Sequence, residues 1–523
     1  MTTTKNTAHW TLEALAQAGV KTIVFSPGSR NAPLIIAAEA LGAFEMVVLG
    51  DERSAAFQAL GRSQVIEAPV AVCCTSGSAL ANYYPAVLEA YYAHVPLIVL
   101  SADRPEDRIN KGEGQTCVQR EFYEPHVAAS IHINEEDSYE QVQDVLHYAI
   151  QAMHFEMRPI HLNVAFHEPL YEQGEAPKSI QLESTADRFT KHGLSESIES
   201  PDFSEFESVA VIAGQLLPAA SEMVRMLLDE GVDWTLFADP MSGLLDHANT
   251  APMEALLNLR PDAVLSIGGQ WINKKPKQYL RRLGVKKHVH VDVFQCWDVL
   301  DANVEYLRFS PNLLEHWKSA SNFIQVRHNE VSEVTLPWSD AGAFRGIVNQ
   351  LDAQSVLHLG NSSVARYFNI FPIRLALYGN RGVAGIDGSL STAVGAALAQ
   401  PTCRHTVILG DQSFLYDHNA LYAQELPQNL TICVLNNGIG GIFDWLPGTA
   451  TTGAEARKIF ANAQQVDLAS LVKAFNVAYV CVEDEQELAT ALTSVKGLTV
   501  IDCKTEQSMN LSALKIIQEH GRA

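Results

Sequence analysis

The sequence predicts an α/β protein of three doubly wound domains with parallel sheets, and three observations carry that reading. Short β-branched apolar runs alternate with helix-like segments through most of the chain, which is the pattern of βα units. Ala68 to Arg104 (APVAVCCTSGSALANYYPAVLEAYYAHVPLIVLSADR) runs strand, small-residue turn, helix, Pro-bearing break, strand; Arg404 to Gly438 (RHTVILGDQSFLYDHNALYAQELPQNLTICVLNNG) repeats that layout at nearly the same spacing. The repetition is architectural, since side-chain identity is slight and any βαβ unit of roughly 30 residues shares part of it. Finally, a Ser-, Glu- and Pro-rich stretch from Glu168 to Ser208 and a shorter polar one from Ser319 to Asp340 read as linkers and loops. They cut the 523 residues into three blocks, placed at 1–180, 181–335 and 336–523, in line with a length of roughly 150 residues per domain.

In chain order, the first informative junction is LGDERSAAF, Leu49 to Phe57. Met46 to Leu49 (MVVL) is apolar enough for a strand, and the AAFQALG that follows is expected to be a helix ending at Gly61. Glu52 then lies at a strand's carboxyl end, where open α/β sheets bind ligands. Two acids there also offset the positive helix N-terminus, and the junction alone does not choose between these roles. In the middle block, SVAVIAGQLLPAASEMVRMLLDEGVDWTLFA and DAVLSIGG repeat the βα signal. Their turns, IAGQL and SIGGQW, lack a G-x-G-x-x-G, which demotes a dinucleotide site and hydride chemistry.

In the C-terminal block, VILGDQSFLYDHNAL puts Asp411 at a strand end, with Ser413 placed to cap the following helix. About two dozen residues later TICVL ends in Asn436-Asn437 and the turn GIGG, so Asp411 and Asn437 project from the carboxyl ends of neighbouring strands. A carboxylate, an amide oxygen and a carbonyl from a Gly-rich turn make a hard-oxygen site of the kind that takes Mg²⁺ together with phosphate oxygens and water. Backbone N–H groups at the helix start and in the turn are suited to cradle the phosphates. Either dipeptide alone is an ordinary strand-end turn; the pairing, each member directly after an apolar strand, favours a diphosphate site.

Composition narrows the partners. The formal charge of −23 disfavours nucleic acid and anionic membrane, because the long-range field is repulsive. No apolar run approaches the roughly 18–20 residues that span a bilayer, and MTTTKNTAHW lacks a secretory n- and h-region, so the expectation is a soluble cytoplasmic protein. The eight cysteines are scattered without C-x-x-C spacing, as buried small hydrophobes in a reducing compartment are.

G-D followed by N-N at this spacing resembles the signature of thiamine diphosphate-dependent enzymes. These combine a pyrimidine-binding domain, here 1–180, with a central domain and a diphosphate-binding domain, here 336–523. Glu52 resembles the glutamate that the first of these carries at a strand end. FSPGSRNAPL, SADRP, GQT, GNSSVAR, GNRGVAGIDGSLST and GDQSFLYDHNAL together resemble the MenD family of menaquinone-pathway synthases; the middle block is similar mainly in length and in the basic pair Lys274-Lys275. The resemblance implies a transferase that decarboxylates 2-oxoglutarate and adds the succinyl carbanion to isochorismate by conjugate addition. It implies thiamine diphosphate and Mg²⁺ or Mn²⁺ as cofactors, and a homodimer or homotetramer with the site at a subunit interface.

Residue by residue, it implies a proton-moving role for Glu52, whose carboxylate on the aminopyrimidine needs a buried, tuned acid. Arg30, Arg104, Gln115, Ser362, Arg366, Arg381, Lys274 and Lys275 would line the substrate site. Ser29, Ser76, Gly77, Asn82, Gly385, Ile386, Gly410, Gln412, Ser413, Gly440, Ile442 and Phe443 would join Glu52, Asp411 and Asn437 around the cofactor. The metal ligands would be Asp411, Asn437 and the carbonyl of Ile439, which stands where glycine is more usual, as Gln412 does in G-D-G. Independently of the resemblance, Arg30, Arg104, Arg366 and Arg381 sit in turn-like segments of an acidic chain, which suggests bidentate recognition of carboxylates. Ser362 and Arg366, four apart, would share a helix face. Tyr416 and His418 are read as helix-packing residues. The competing readings are another thiamine diphosphate-dependent 2-oxoacid decarboxylase or carboligase, and a catalytically inactive nucleotide-binding or scaffolding protein.

Overall fold

The computed structural model describes residues 1–182, 202–292, 297–302, 304–308, 318, 321–326, 334–446 and 448–519. Residues 183–201 of the first polar stretch and 319–320 and 327–333 of the second, along with Cys296, lie outside the described residues. Each block supplies one six-stranded sheet, and the registered pairings within these sheets are parallel. By internal contacts the chain forms two compact units. One comprises Met1–Ser195, Asn380–Thr402 and Ser413–Leu430; the other comprises Glu196–Gly379, Cys403–Gln412 and Thr431–Ala523.

The first unit holds the N-terminal sheet, ordered Glu45–Val48, Thr22–Phe25, Val70–Cys74, Leu97–Asp103, Ile160–Ala165, Ala129–Ile133. Numbered along the chain this is 2-1-3-4-6-5. Its central strands Val70–Cys74 and Leu97–Asp103 are buried at every residue, as parallel strands covered on both faces must be. The edge strand Glu45–Val48 is half exposed.

Helix Glu52–Ile66 follows that edge strand and runs past Gly61, where the sequence pattern placed its end. Glycine inside a helix costs about 1 kcal/mol against alanine, and here close packing explains it. A Cβ on Gly61 would lie 1.9 Å from the Thr392 carbonyl oxygen, and one on Gly395 would lie 2.0 Å from that of Gln58. Helix Ser389–Ala399, from the C-terminal block, therefore crosses Glu52–Ile66 backbone to backbone. Asp417 ties the same helix down: its buried carboxylate accepts from Ser391 N and Ser391 Oγ, both at 2.7 Å.

The second unit holds two sheets. The middle one is ordered Thr250–Pro252, Leu236–Ala238, Val209–Ala213, Ala263–Ile267, Lys287–Asp292, Val304–Arg308, or 3-2-1-4-5-6 along the chain. The C-terminal one is ordered Ala376–Tyr378, Val356–Leu359, His405–Gly410, Leu430–Asn436, Thr499–Lys504, Ala478–Val482, which repeats 2-1-3-4-6-5. The two outer sheets thus share one topology, and in both a ligand crevice is expected where the order reverses, between the first and third strands.

Two stability predictions follow from the packing of helix Ser389–Ala399. Gly61→Ala should lower the urea midpoint by an amount worth about 1–3 kcal/mol, the usual cost of overpacking; an unchanged midpoint would show that the helices do not touch. For Asp417, burial pushes the carboxyl up to about 7 despite its donors. The folded state then holds a proton that the unfolded state has lost, so this group's contribution is present below about pH 4 and lost as pH rises through about 7. Asp417→Asn should gain stability relative to wild type as pH is raised from 5 to 8, measured as paired melting curves; a pH-independent difference would contradict this.

Candidate active site

Within the first unit, the two acids of the LGDERSAAF junction take different parts. Asp51 is the N-cap of helix Glu52–Ile66: its Oδ1 accepts from Ser54 N at 3.1 Å and its Oδ2 from Asn419 Nδ2 at 2.7 Å. Glu52 is the first residue of the helix and is not needed for capping. It is half-buried in the single chain rather than buried, and accepts a long 3.5 Å bond from Asn82 Nδ2. Asn82 lies on helix Ser78–Ala93, whose N-cap is Gly77.

The loops after the first, third and fourth strands of this sheet bring the next candidates together. Arg104 Nη1 donates to Ser76 Oγ at 2.6 Å and to the Gln115 carbonyl at 2.8 Å, and Ser76 Oγ donates to that carbonyl at 3.0 Å. Only the backbone of Gln115 is used here. Gly77, at φ +86°, passes so close that a Cβ would meet Gln115 Cα at 3.1 Å. The backbone N–H of Arg30 donates to Thr75 Oγ1 across the same crevice. Its guanidinium is occupied from within, by Glu168 at 2.8 Å and the Phe166 carbonyl at 3.0 Å, while its Nε is buried without a hydrogen bond. Burial lowers its pKa against the raising effect of Glu168. Ser29 lies in the bend just before Arg30.

The segment between Asn380 and Gly388 carries Arg381, Gly385 and Ile386. A Cβ on Gly385 would fall 2.1 Å from Asp387 Oδ1, so a side chain there would displace that carboxylate. Ile386 is 40% exposed, which removes core packing as the reason for an apolar side chain there. Ser413 is not a cap: it is the third residue of helix Asp411–Asp417, and its Oγ donates to the Ile386 carbonyl at 2.6 Å. Tyr416 is also not a packing residue; it is 51% exposed, with Arg53 4.6 Å over its ring. His418 Nδ1 lies 2.8 Å from the Leu415 carbonyl.

In the second unit, Asp411 directly follows strand His405–Gly410 as the first residue of helix Asp411–Asp417, and Asn437 follows Leu430–Asn436. Gln464 ties Asp411 to the turn: Nε2 donates to Asp411 Oδ2 at 2.7 Å, and Gln464 N donates to the Gly438 carbonyl at 2.9 Å. Burial pushes the Asp411 carboxyl up to about 6, against hydrogen bonds from Gln464 and from the backbone of Gln412 and Gly438; the nearby Asp340 raises it further. Asn437 Oδ1 accepts from Ile439 N at 2.9 Å, and its Nδ2 donates to Asp340 at 2.6 Å. The Ile439 carbonyl accepts from Gly441 N at 2.9 Å. Gln412 and Asn462 bond reciprocally, Gly440 N donates to the Ala461 carbonyl, and Ile442 and Phe443 lie in the short helix Gly441–Asp444, with Phe443 stacked on Phe460.

Residues that fit a diphosphate and a divalent cation are present here. A Cβ on Gly410 would meet nothing within 4 Å, so the strand-end turn opens onto free space. The buried Asp411 carboxyl accepts from the Gln464 amide, and a bound cation would favour its charged form against the cost of burial. Among the described residues no group of three or more His, Cys, Asp or Glu could hold a metal; Asp411 with the amide and carbonyl oxygens of the neighbouring turn is a hard-oxygen set of the kind that suits Mg²⁺.

The remaining substrate candidates also lie in this unit. Arg366 is in helix Ser363–Ile370 rather than in a turn, and its Nη1 donates to the backbone carbonyl of Ser362 at 2.7 Å. Ser362 holds φ +68° as the N-cap residue, an uncommon conformation for a non-glycine and one that recurs at functional sites. Lys274 and Lys275 are exposed in the first turn of helix Lys274–Leu283. Glu254 bridges the two helices' surroundings, accepting from Asn273 and from Asn369.

Sequence reasoning missed three acids. Glu168 was assigned to a linker and Asp340 to the end of another. Glu89, on an apolar helix face, is buried with a raised pKa caused by burial, and its two oxygens accept from Gly382 N at 2.6 Å and Val383 N at 2.9 Å. An acid among apolar residues, YYPAVLEAYYA, was the available signal.

Two family models match the chain: thiamine pyrophosphate enzyme, N-terminal TPP binding domain, over residues 5–123, and thiamine pyrophosphate enzyme, C-terminal TPP binding domain, over 358–503. Curated relatives named 2-succinyl-5-enolpyruvyl-6-hydroxy-3-cyclohexene-1-carboxylate synthase match nearly the whole length. The protein of Flavobacterium psychrophilum is 33% identical over 91% of this chain and 90% of its own; that of Cytophaga hutchinsonii is 33% identical over 92% of each. The protein of Desulfotalea psychrophila is 34% identical over 88% of this chain and 90% of its own. The chain belongs to the 2-succinyl-5-enolpyruvyl-6-hydroxy-3-cyclohexene-1-carboxylate synthase family, within the thiamine pyrophosphate enzymes.

Proposed function

We propose that this chain joins the succinyl unit of 2-oxoglutarate to isochorismate, with loss of CO₂, to give 2-succinyl-5-enolpyruvyl-6-hydroxy-3-cyclohexene-1-carboxylate for menaquinone synthesis. One observation carries the reading: two sheets of the same 2-1-3-4-6-5 order, one presenting Glu52 and the other Asp411 and Asn437 at strand carboxyl ends. Bound thiamine diphosphate would supply the electron sink that lets the 2-oxoacid lose CO₂. Glu52 would donate a hydrogen bond from its carboxyl to the ring nitrogen of the aminopyrimidine and move that proton to and from it. A second copy of the chain would bury that acid, which fits its half-buried state in one chain.

Asp411, Asn437 Oδ1 and the Ile439 carbonyl would hold Mg²⁺ or Mn²⁺, with Gly410, Gln412 and Gly440 around the diphosphate. Ile386, exposed and fixed through its carbonyl by Ser413, would pack against the cofactor. Arg30, Arg104, Arg366 and Arg381, with Lys274 and Lys275, would hold the substrates' carboxylates. A guanidinium can offer two parallel donors to a carboxylate, a geometry that lysine cannot reproduce, and Arg30 would do so by exchanging Glu168 for the substrate.

A mass-spectrometric product assay tests the reaction. With thiamine diphosphate, Mg²⁺ and both substrates, the condensed product should appear and should require every component; succinic semialdehyde alone would reassign the chain to a simple decarboxylase. Glu52→Gln should keep thiamine diphosphate bound and slow turnover by about 10²–10⁴-fold, the usual weight of positioned acid–base catalysis; near-normal turnover would remove Glu52 from that role. Arg366→Ala should lower the rate at limiting substrate without releasing cofactor, and an unchanged rate would make it a structural residue.

A further inference from the structure

We infer that Asp340 is a positioning residue for the cation site: it fixes the amide of Asn437 so that the oxygen, not the NH₂ group, is left for the metal. The inference rests on the reading of Asp411 and Asn437 as metal ligands. The two ends of an asparagine amide are nearly the same size, so only their partners decide which end faces where. Here the partners are unambiguous. Asn437 Nδ2 donates to the Asp340 carboxylate at 2.6 Å, and Asn437 Oδ1 accepts from Ile439 N at 2.9 Å. A flipped amide would set its oxygen against a carboxylate and its NH₂ against an N–H.

Asp340 is itself held rigidly. It is the first residue of helix Asp340–Val348, which Ser339 caps by accepting from Gly342 N at 3.1 Å. It is 3% exposed. Its Oδ1 accepts from Thr505 Oγ1 at 2.5 Å, and its backbone N–H donates to Asn510 Oδ1 at 2.7 Å; Asn510 Nδ2 then bonds Thr505 Oγ1 at 3.3 Å. Thr505 N also bonds the Asn436 carbonyl at 3.0 Å, so the same cluster holds the backbone of the metal turn. Gly441 leaves room for this amide: a Cβ there would lie 2.9 Å from Asn437 Nδ2. A ligand's orienting partner is commonly worth 10–100-fold in metal affinity.

The test is Mn²⁺ binding, read from the paramagnetic resonance of free Mn²⁺ at saturating thiamine diphosphate, with calorimetry to check folding. Asp340→Ala should raise the Mn²⁺ Kd by about 10–100-fold. Asp340→Asn should stay near wild type, since its amide can accept from Asn437 and donate to Thr505. If the alanine variant does not fold, Asp340→Ser keeps a hydroxyl for Thr505 but is too short to reach Asn437, and should show the same loss. The double variant Asp340→Ala with Asn437→Asp should regain most of the affinity, because a carboxylate offers oxygen in either orientation; a merely structural Asp340 would not be rescued this way. Wild-type Mn²⁺ affinity in folded Asp340→Ala or Asp340→Ser, or a double variant no tighter than Asp340→Ala, overturns the inference. Asp411→Ala separates the underlying reading: unchanged Mn²⁺ binding there removes the metal site, whereas loss there beside wild-type binding in Asp340→Ala removes only the role of Asp340.

Discussion

Helices Glu52–Ile66 and Ser389–Ala399 meet at Gly61 and Gly395, and that contact constrains everything built on the first unit. Side chains at either position would separate the helix axes, because the obstacle in each case is a backbone carbonyl that cannot swing away. Glu52 begins one of these helices, and the segment carrying Arg381, Gly385 and Ile386 leads directly into the other. The separation of these groups is thus set by a main-chain contact and not by rotamers. Glu89 adds a second restraint by clasping two consecutive N–H groups of that segment. Preorganisation of this kind is what lets binding groups act without reorganising at the moment of reaction.

A chain with net charge −23 also buries several acids around its strand ends, and their partners are informative. Asp411, Asp417, Asp340 and Glu89 accept from amides, hydroxyls and backbone N–H groups. Burial raises all four pKa values. Asp417 and Glu89 have their carboxylate oxygens occupied by donors of the segments they anchor, a structural use. Asp340 is anchored in the same way, by Thr505 and Asn437, and it is itself among the causes of the raised Asp411 pKa. Two adjacent buried carboxyls, one of them beside open space at Gly410, form the arrangement that a divalent cation relieves.

The three-sheet architecture was legible because parallel βα units write themselves as alternating apolar runs, and Asp411 and Asn437 were legible because each directly follows such a run. What escaped was long-range. Gly61 looked like a helix end because local propensity says so, and only the approach of Thr392, more than 300 residues on, explains a glycine inside the helix. Ser413 looked like a cap for the same local reason, but helix Asp411–Asp417 starts earlier, leaving its hydroxyl for Ile386. Asp340 and Glu168 sat in polar stretches whose composition says loop, and their partners, Asn437 and Arg30, are 97 and 138 positions away. Arg30 was read as a receptor for an external carboxylate, and within the chain that place is taken by Glu168. Residue types and turns are local signals; which acid meets which donor is decided by the topology that folds the strands together.

The middle sheet shows why topology alone does not make a site. Its 3-2-1-4-5-6 order is that of dinucleotide-binding sheets, with the crevice expected between strands Val209–Ala213 and Ala263–Ile267. The turns after those strands close on each other instead. A Cβ on Gly214 would lie 2.1 Å from the Gly269 carbonyl oxygen, Gly269 N donates to the Gln215 carbonyl at 2.8 Å, and Gln215 N donates to the Gln270 carbonyl at 3.2 Å. The N–H groups that would cradle a pyrophosphate are spent on the neighbouring turn. At Gly410 in the C-terminal sheet the corresponding turn faces free space. Glycine therefore serves opposite ends in the two sheets, close packing in one and an open floor in the other, and the capacity for phosphate follows the turn and not the fold.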